Sequence, residues 1–215
     1  MIAYIPLFLQ GISITFVVWI IAALISLFVG CVCGVASCNQ LASPLIKKII
    51  WFFTFVSKGI PAYVQILIAY FIIPSLLGIN IQAITAACAA LAFCSSGYIT
   101  EIFRSGINAV PKGQWDAAKV LGYPLADTLI KIILPQTFKN IGPALFGEFE
   151  QLLKSTSLLA TIGITEITRV GMNIISRELN PIPVYLTVAC VYLFFSFLLN
   201  TTSIMVERRL SYDKG

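Results

Sequence analysis

The chain is organised as long apolar runs separated by short polar segments. Five runs approach the roughly 20 residues that a helix needs to cross a bilayer, and they cover about residues 10–35, 60–77, 81–104, 141–159 and 184–205. Their apolar residues do not alternate with period two, as they would in a barrel strand. The pattern therefore predicts an all-α membrane protein with about five transmembrane helices.

The segment before the second run permits two interpretations. Residues 49–56 are apolar and aromatic, and Lys58-Gly59-Ile60-Pro61 follows them. In the favoured interpretation, residues 49–56 lie at the membrane interface or lead into a helix over 60–77, with Pro61 in its first turn. In the alternative, one long helix from Ile49 is kinked at Pro61, which places Lys58 inside the membrane. A lysine deep in lipid costs on the order of a few kcal/mol, whereas one near a helix end reaches water.

The composition agrees with a membrane protein. Of the 215 residues, 59% are hydrophobic and 11% are charged, whereas a soluble domain is about half apolar and a quarter charged. We therefore expect residues 1–215 to form a single transmembrane domain. The third run is rich in small residues, which predicts that its helix packs at the centre of the bundle or at a dimer interface.

The basic residues indicate an orientation. If the loop before residue 60, residues 105–140 and the C-terminus share one face, that face collects about ten Lys and Arg residues against two on the other. The larger group comprises Lys47, Lys48, Arg104, Lys112, Lys119, Lys131, Lys139, Arg208, Arg209 and Lys214, and the smaller comprises Arg169 and Arg177. Because basic residues gather on cytoplasmic loops, the N-terminus is predicted outside, and residues 105–140 and the C-terminus in the cytoplasm.

Other chemistries find little support in the sequence. The chain has six cysteines and no histidine, and the absence of a CxxC motif argues against a zinc or other metal site and a disulfide framework. A phosphate-binding GxxxxGK[ST] motif is also absent, so the chain itself is not expected to hydrolyse ATP or to be an enzyme. Basic and aromatic residues do not interleave as in single-strand binders, which argues against a nucleic-acid partner.

A charged, helix-prone segment lies between the third and fourth runs, over about residues 105–140. Within it, residues 114–121 are predicted to form a short helix. The motif Asp116-Ala117-Ala118 supplies two good helix formers and an anion near the helix N-terminus, where the helix dipole favours negative charge. Gly122 can then adopt the positive φ that ends a helix.

A second short helix is predicted after this turn. Pro124 prevents simple continuation of the first helix, and residues 125–133 are expected to form a helix that stops at Leu134-Pro135. The result would be a helix–turn–helix that lies parallel to the membrane. On composition alone, an ordinary amphipathic cytoplasmic loop explains the segment as well.

The spacing of this segment resembles the cytoplasmic coupling loop of ABC-importer permeases. That loop has an acid-Ala-Ala triplet, three residues, Gly, nine residues and then Ile-x-Leu-Pro, and Asp116-Ala117-Ala118, Gly122 and Ile132-x-Leu134-Pro135 meet the whole pattern. Asp116 stands where the family usually has Glu. Lys58-Gly59-Ile60-Pro61 is similar to the Arg-Gly-Thr-Pro of polar amino-acid permeases. The resemblance covers most of residues 1–210 and continues in residues 97–104, 110–118, 152–158 and 166–171.

The resemblance implies a type I ABC-importer permease fold and an import function for polar amino acids of the histidine, glutamine or arginine kind. In such an importer, two permease subunits, identical or sister chains, form the pore in the bacterial cytoplasmic (inner) membrane. ATPase subunits, which hold the ATP and Mg, dock beneath, and an extracytoplasmic binding protein delivers the substrate. This chain would contact lipid, carry no cofactor, and meet the ATPase through Asp116, Ala117, Ala118, Gly122, Leu134 and Pro135.

The predicted fourth helix carries ionisable residues, which are costly in a membrane and usually functional. The helical period puts Glu148, Gln151 and Ser155 on one side, and Glu150 and Lys154 on roughly the opposite side. Glu150 and Lys154 are spaced i, i+4 in the favourable order and are interpreted as a structural ion pair.

Glu148 is the candidate substrate residue in this helix. A carboxylate in the translocation path can hold an α-ammonium group, and Gln151 and Ser155 can add hydrogen bonds to neutral polar groups. The alternative for Glu148 is packing within the bundle with an internal partner. Because family members often have Asp at the position of Ser155, the loss of this acid favours glutamine or another neutral polar amino acid over arginine.

Two open alternatives concern the loop after the fourth helix and the energy source. Glu166 and Arg169 are expected to be external or re-entrant, where they either gate the path or contact the binding protein, or else form a solvated pair. A gradient-driven secondary amino-acid transporter is the alternative function. It is disfavoured because the chain shows neither inverted repeats nor paired broken helices.

Overall fold

The structure, a computed structural model, describes residues 2–212, so the predicted cytoplasmic residue Lys214 lies outside the described residues. Ten α-helices form the described chain: α1 (Ile5–Ala36), α2 (Pro44–Gly59), α3 (Ala62–Leu67), α4 (Ile73–Leu77), α5 (Ala83–Asn108), α6 (Lys112–Val120), α7 (Leu125–Asp127), α8 (Leu134–Ser155), α9 (Ile167–Glu178) and α10 (Pro181–Tyr212). Two π-helical turns, Ile68–Ile72 and Thr128–Ile133, join α3 to α4 and α7 to α8. The 3-10 helices are Ile2–Tyr4 and Thr156–Ile162.

Three helices are long and apolar enough to span a membrane alone, namely α1, α5 and residues Pro181–Arg208 of α10. Two further spans are bent pairs. Pro44–Gly59 and Ala62–Leu77 meet at 98°, and Leu125–Ile162 and Ile167–Glu178 meet at 46°. Counting each bent pair as one span gives the predicted all-α architecture of about five spans.

Helix α5 lies at the centre of the bundle, as its small residues predicted. In its most apolar stretch 61% of the residues are buried, against 22% for α1 and 17% for α10. Helix α1 approaches it through glycines, since a Cβ at Gly30 would lie 2.5 Å from a methyl carbon of Ile99 and a Cβ at Gly34 would meet Phe103. Small residues let two helices approach closely, so this pair forms the rigid core on which the bent spans pack.

The first and third spans are longer than predicted. Helix α1 begins at Ile5 instead of about residue 10, and Pro6 lies in its first turn. A proline there removes only an N–H group that has no helical partner. Helix α5 continues to Asn108, so Glu101 and Arg104 lie within the helix and not at its end.

The second span corrects the alternative interpretation of residues 49–61. Residues 49–56 belong to the regular helix Pro44–Gly59, which leads into the break before α3, and the 98° bend excludes one long kinked helix. Ile60 has extended dihedrals of −93° and 130°, which is the conformation that a following proline favours. Pro61 therefore caps α3 instead of lying in its first turn. The buried Gln65 side chain donates from Nε2 to the carbonyl oxygens of Ser57 and Ile60, both at 2.7 Å, and so stabilises the break.

The fourth span corrects the prediction that a helix over residues 125–133 stops at Leu134-Pro135. The chain stays helical from Leu125 to Ile162, through the π-helical turn Thr128–Ile133. Around the proline, Gln136 Nε2 donates to the Ile132 carbonyl oxygen at 2.9 Å, and the Thr137 hydroxyl donates to that of Ile133 at 2.9 Å. These side chains support the backbone beside the π-helical turn, where Pro135 has no N–H to donate. The fourth span is therefore continuous with the charged segment that precedes it.

Candidate functional site

A polar cavity of about 300 Å³ lies where the α2–α3 bend faces α5 and α8. Its polar lining residues are Lys58, Ser95, Tyr98, Glu148, Gln151 and Ser155. The three residues predicted for the substrate path from helical spacing are therefore together on one wall. Lys58, Ser95 and Tyr98 are lining residues that sequence reasoning missed.

Glu148 has one internal partner and also faces the cavity. The buried Ser95 hydroxyl donates to Glu148 Oε1 at 2.7 Å. A carboxylate has about four acceptor positions, so this bond leaves capacity for a ligand. The Ser155 hydroxyl donates to the Gln151 carbonyl oxygen at 2.9 Å, which leaves its oxygen as an acceptor. The site thus offers a carboxylate, an amide and a hydroxyl group.

Lys58 reaches this cavity because α2 packs tightly on α5. It lies in the last turn of α2, and a Cβ at Gly97 of α5 would meet the Ser57 hydroxyl and approach Cγ of Lys58 to 3.3 Å. Only glycine allows this approach. The sequence shows Lys58-Gly59-Ile60 before a proline, but it does not predict the 98° bend that turns this segment toward Glu148.

The other charged pair of α8 is separate from the cavity. Lys154 Nζ lies 2.6 Å from Glu150 Oε1, with side chains 50% and 26% exposed. Neither residue lines the cavities described for residues 2–212.

The turn between α6 and α7 has the predicted local geometry. Gly122 adopts a φ of 75°, so the positive φ expected at the end of α6 is confirmed. The Gly122 N–H donates to the Lys119 carbonyl oxygen at 3.1 Å, and the Tyr123 N–H donates to that of Ala118 at 3.0 Å. These bonds satisfy carbonyl groups at the helix end, as in a Schellman motif.

The same turn exposes apolar side chains. Val120 is 86% exposed, Leu121 is 73% exposed and Leu125 is 56% exposed. Of the other residues predicted to contact an ATPase, Asp116, Ala117 and Pro135 are exposed, Leu134 is half-buried and Ala118 is buried. An exposed apolar patch beside charged residues is typical of a protein-binding surface.

A small core anchors this turn to the bundle. It comprises Cys38 after α1, Ile107 at the end of α5, Val110 and Ile133, all buried, with Trp115 packed against them. The end of α1, the end of α5 and the α6–α7 turn therefore lie at one end of the molecule. The turn is thus connected to α8 through a continuous helix, and to α1 and α5 through packing.

Glu166 is not part of a solvated pair, which corrects that alternative. It is fully buried, and its carboxylate accepts from the N–H groups of Thr168 and Arg169 at 2.8 Å and from the Tyr192 hydroxyl at 3.0 Å. It therefore caps α9 and ties it to α10, because a helix N-terminus has unpaired N–H groups that favour an anion. Arg169 points elsewhere and donates to the Ala160 carbonyl oxygen at 3.4 Å.

Comparison with known proteins identifies the family. Residues 26–212 match the model described as binding-protein-dependent transport system inner membrane component. The chain belongs to this family. It is 34% identical over 209 residues to the arginine transport system permease protein ArtQ of Bacillus subtilis, a match that covers 96% of this chain and 93% of that protein.

Two further relatives are named for different substrates. The chain is 31% identical over 209 residues to the L-cystine transport system permease protein TcyB of Bacillus subtilis, covering 95% of this chain and 87% of the relative. It is 29% identical over 201 residues to the putative glutamine transport system permease protein GlnP of Rickettsia conorii, covering 94% and 91%.

Solved structures give the same fold. The crystal structure of an amino acid ABC transporter with histidines has a TM-score of 0.87 at 33% identity and covers 97% of this chain and 96% of that chain. The inward-facing MetNI methionine ABC transporter shares the fold, with a TM-score of 0.84 at 15% identity. The match covers 97% of this chain and 98% of that chain. The chain is thus a type I ABC-importer permease: a multi-pass, non-catalytic inner-membrane subunit whose family works with an ATPase and a binding protein.

Proposed function

We propose that this chain is the membrane-spanning subunit of an ATP-driven importer for a polar amino acid, with glutamine as the favoured substrate. The observation that carries the proposal is the cavity at the α2–α3 bend, where one lysine and one carboxylate line the same space as an amide and a hydroxyl. The relatives are named for the transport of arginine, cystine and glutamine, which supports an amino acid as the substrate.

The charges of the cavity suit a zwitterion with a neutral side chain. Glu148 would accept hydrogen bonds from the α-ammonium group, and Lys58 would donate to the α-carboxylate. Gln151 and Ser155 would then pair with a side-chain amide. A cationic side chain needs a second acid, and Ser155 stands where many polar amino-acid permeases have Asp. These features together favour glutamine over arginine.

The exposed turn between α6 and α7 is proposed to dock on the ATPase. Asp116, Ala117 and Gly122 would contact the ATPase together with the apolar patch at Val120 and Leu121. Ala118 is buried and would support the turn from below, where its carbonyl oxygen accepts from the Tyr123 N–H. Leu134 and Pro135 would carry the motion onward, because the helix from Leu125 to Glu148 is continuous and about 35 Å long at 1.5 Å per residue. In this proposal ATP and Mg are bound by the partner ATPase.

The orientation proposed for the chain places α6 and the C-terminus in the cytoplasm and the N-terminus outside. The backbone N–H of Asn39 donates to Asn108 Oδ1 at 2.9 Å, which supports a common end for the loop after α1 and the region after α5. That end carries Lys47, Lys48 and the basic residues of segment 105–140, and basic residues are typical of cytoplasmic loops. The second permease subunit of the pore is either an identical copy or a sister chain.

Uptake by reconstituted vesicles tests this function. Proteoliposomes that contain the chain, its ATPase and its binding protein are supplied with labelled glutamine and labelled arginine in parallel. ATP is present or absent on the side of the membrane that carries the ATPase. ATP-dependent accumulation of glutamine supports the proposal. Accumulation of arginine alone would retain the importer and contradict the substrate, whereas uptake without ATP would favour a gradient-driven transporter.

A further inference from the structure

A row of three adjoining hollows runs along α2 and α5. The first is the cavity that contains Glu148, and Lys58 lines both this cavity and a second hollow of about 460 Å³. Glu101 and Arg104 line both the second hollow and a third of about 220 Å³. Because neighbouring hollows share lining residues, they adjoin one another, with charged side chains at both junctions, and the three hollows together are called the track.

The track ends at the part of the molecule that carries the α6–α7 turn. Its third hollow is lined by Asn39 and Lys47 of the α1–α2 connection and start of α2. Lys47 Nζ donates to Asn39 Oδ1 at 3.2 Å, and the Asn39 backbone is bonded to Asn108 at the end of α5. A solute that leaves the Glu148 cavity along this track therefore passes Glu101 and Arg104.

Glu101 and Arg104 form an ion pair between the second and third hollows. Arg104 Nη2 lies 2.5 Å from Glu101 Oε2, with side chains 41% and 32% exposed. Both side chains line the two hollows, so each charge faces open space in the track when the pair separates. A guanidinium matches the geometry of a carboxylate, and a carboxylate accepts from an ammonium group.

We propose that the Glu101–Arg104 pair is the exit gate of this track, an inference that rests on the proposed function. The pair opens when Arg104 exchanges Glu101 for the α-carboxylate of the substrate and Glu101 takes the α-ammonium group. The pair closes again once the substrate reaches the third hollow. Glu101 and Arg104 are thus gating residues that select for a molecule with both charges.

Cys94 provides a reporter, because it lines the Glu148 cavity. A variant that retains Cys94 alone is made by replacing Cys31, Cys33, Cys38, Cys88 and Cys190 with alanine. In vesicles whose α6 side is accessible, Cys94 is labelled with membrane-impermeant thiosulfonates, one anionic and one cationic. E101Q and R104Q are compared with E150Q and K154Q, which break a pair of similar exposure away from the track.

If the pair is a gate, Cys94 is labelled several-fold faster in E101Q and in R104Q than in the parent, and the two variants prefer reagents of opposite charge. In E101Q the unpaired Arg104 favours the anionic reagent, and in R104Q the unpaired Glu101 favours the cationic one. E150Q and K154Q are expected to match the parent. Equal rates in all variants, or faster labelling without a change in charge preference, would overturn the gate, since a loosened structure alone does not select by charge.

Protection by substrate separates this inference from the proposed function. Glutamine that slows Cys94 labelling in the parent supports the cavity as the substrate site, whatever the gate variants do. If glutamine and arginine both fail to protect while the charge preference inverts as expected, the gate stands and the substrate assignment falls. If glutamine protects and the preference does not invert, only the gate falls.

Discussion

Two prolines with opposite outcomes define the working parts of this permease. At Pro61 the helix breaks by 98°, whereas at Pro135 it continues from Leu125 to Ile162. The difference lies in the partners of the disturbed backbone. Gln65 pairs with carbonyl groups on the far side of the bend, whereas Gln136 and Thr137 pair within the helix. The break creates the cavity, and the unbroken helix creates the lever.

The lever is tested most strongly at the turn that drives it. Gly122→Leu places a β-carbon where φ is 75°, which costs about 1–2 kcal/mol and distorts the docking turn. We expect loss of most ATP-dependent uptake while ATP hydrolysis continues, measured in parallel in proteoliposomes. Gly113→Ala is the matched control, because Gly113 has open space around it and no positive φ. Normal uptake by a fully assembled Gly122→Leu variant would contradict the coupling role.

The cavity is tested by removing its carboxylate charge. Glu148→Gln keeps the shape and the Ser95 contact but weakens a charge-assisted hydrogen bond to an α-ammonium group. We expect uptake per unit time at low substrate to fall about tenfold, equivalent to about 1.4 kcal/mol. Glu150→Gln is the control on the same helix and should leave uptake within about twofold, because Glu150 does not line the cavity and instead pairs with Lys154. Equal losses in both variants would assign Glu148 to helix packing.

The bend is tested by removing its side-chain bridge. Gln65→Leu has similar size but leaves the Ser57 and Ile60 carbonyl groups without the amide donor, and loss of buried hydrogen bonds costs about 1–3 kcal/mol. The temperature of thermal unfolding in detergent is expected to fall by several degrees. Gln82→Leu serves for comparison, because the exposed Gln82 makes no side-chain cap bond. An unchanged unfolding temperature for Gln65→Leu would mean that packing alone holds the bend.

The smallest effect on stability is expected where the helix continues past Pro135. Thr137→Val removes the buried hydroxyl that pairs with the Ile133 carbonyl oxygen, at a cost of about 1 kcal/mol. Thr202→Val removes an equivalent bond to the Leu198 carbonyl oxygen at 2.8 Å on the exposed face of α10 and is expected to change stability less. A larger loss at Thr202 than at Thr137 would show that the proline site needs no side-chain support.

The predictions that hold concern features set by nearby residues. Glu148, Gln151 and Ser155 line one wall because the helical period alone brings residues three and four apart together. Gly122 ends α6 because glycine adopts a positive φ without steric cost. The small residues of α5 indicated a central helix because close helix packing requires small side chains.

The predictions that fail concern partners distant in the chain. Glu166 was taken for a possible solvated residue, since nothing near it in the sequence reveals that Tyr192 donates to it. Lys58 lies in the last turn of α2, the helix end expected for it, but the sequence did not show that the bend and the contact with α5 direct it to the cavity of Glu148. Pro135 was taken as a helix stop, because a local rule does not register the π-helical turn before it.

The sequence by itself determined the five apolar spans, the coupling motif and the face of α8 that carries polar residues, because apolar length, backbone preference and helical period are local properties. Only the tertiary structure decided which proline breaks a helix, where Lys58 lies relative to Glu148, and that Glu101 and Arg104 separate two hollows of one track. These outcomes depend on hydrogen bonds and close approaches between segments far apart in the chain, whose free energies exist only once the helices have packed.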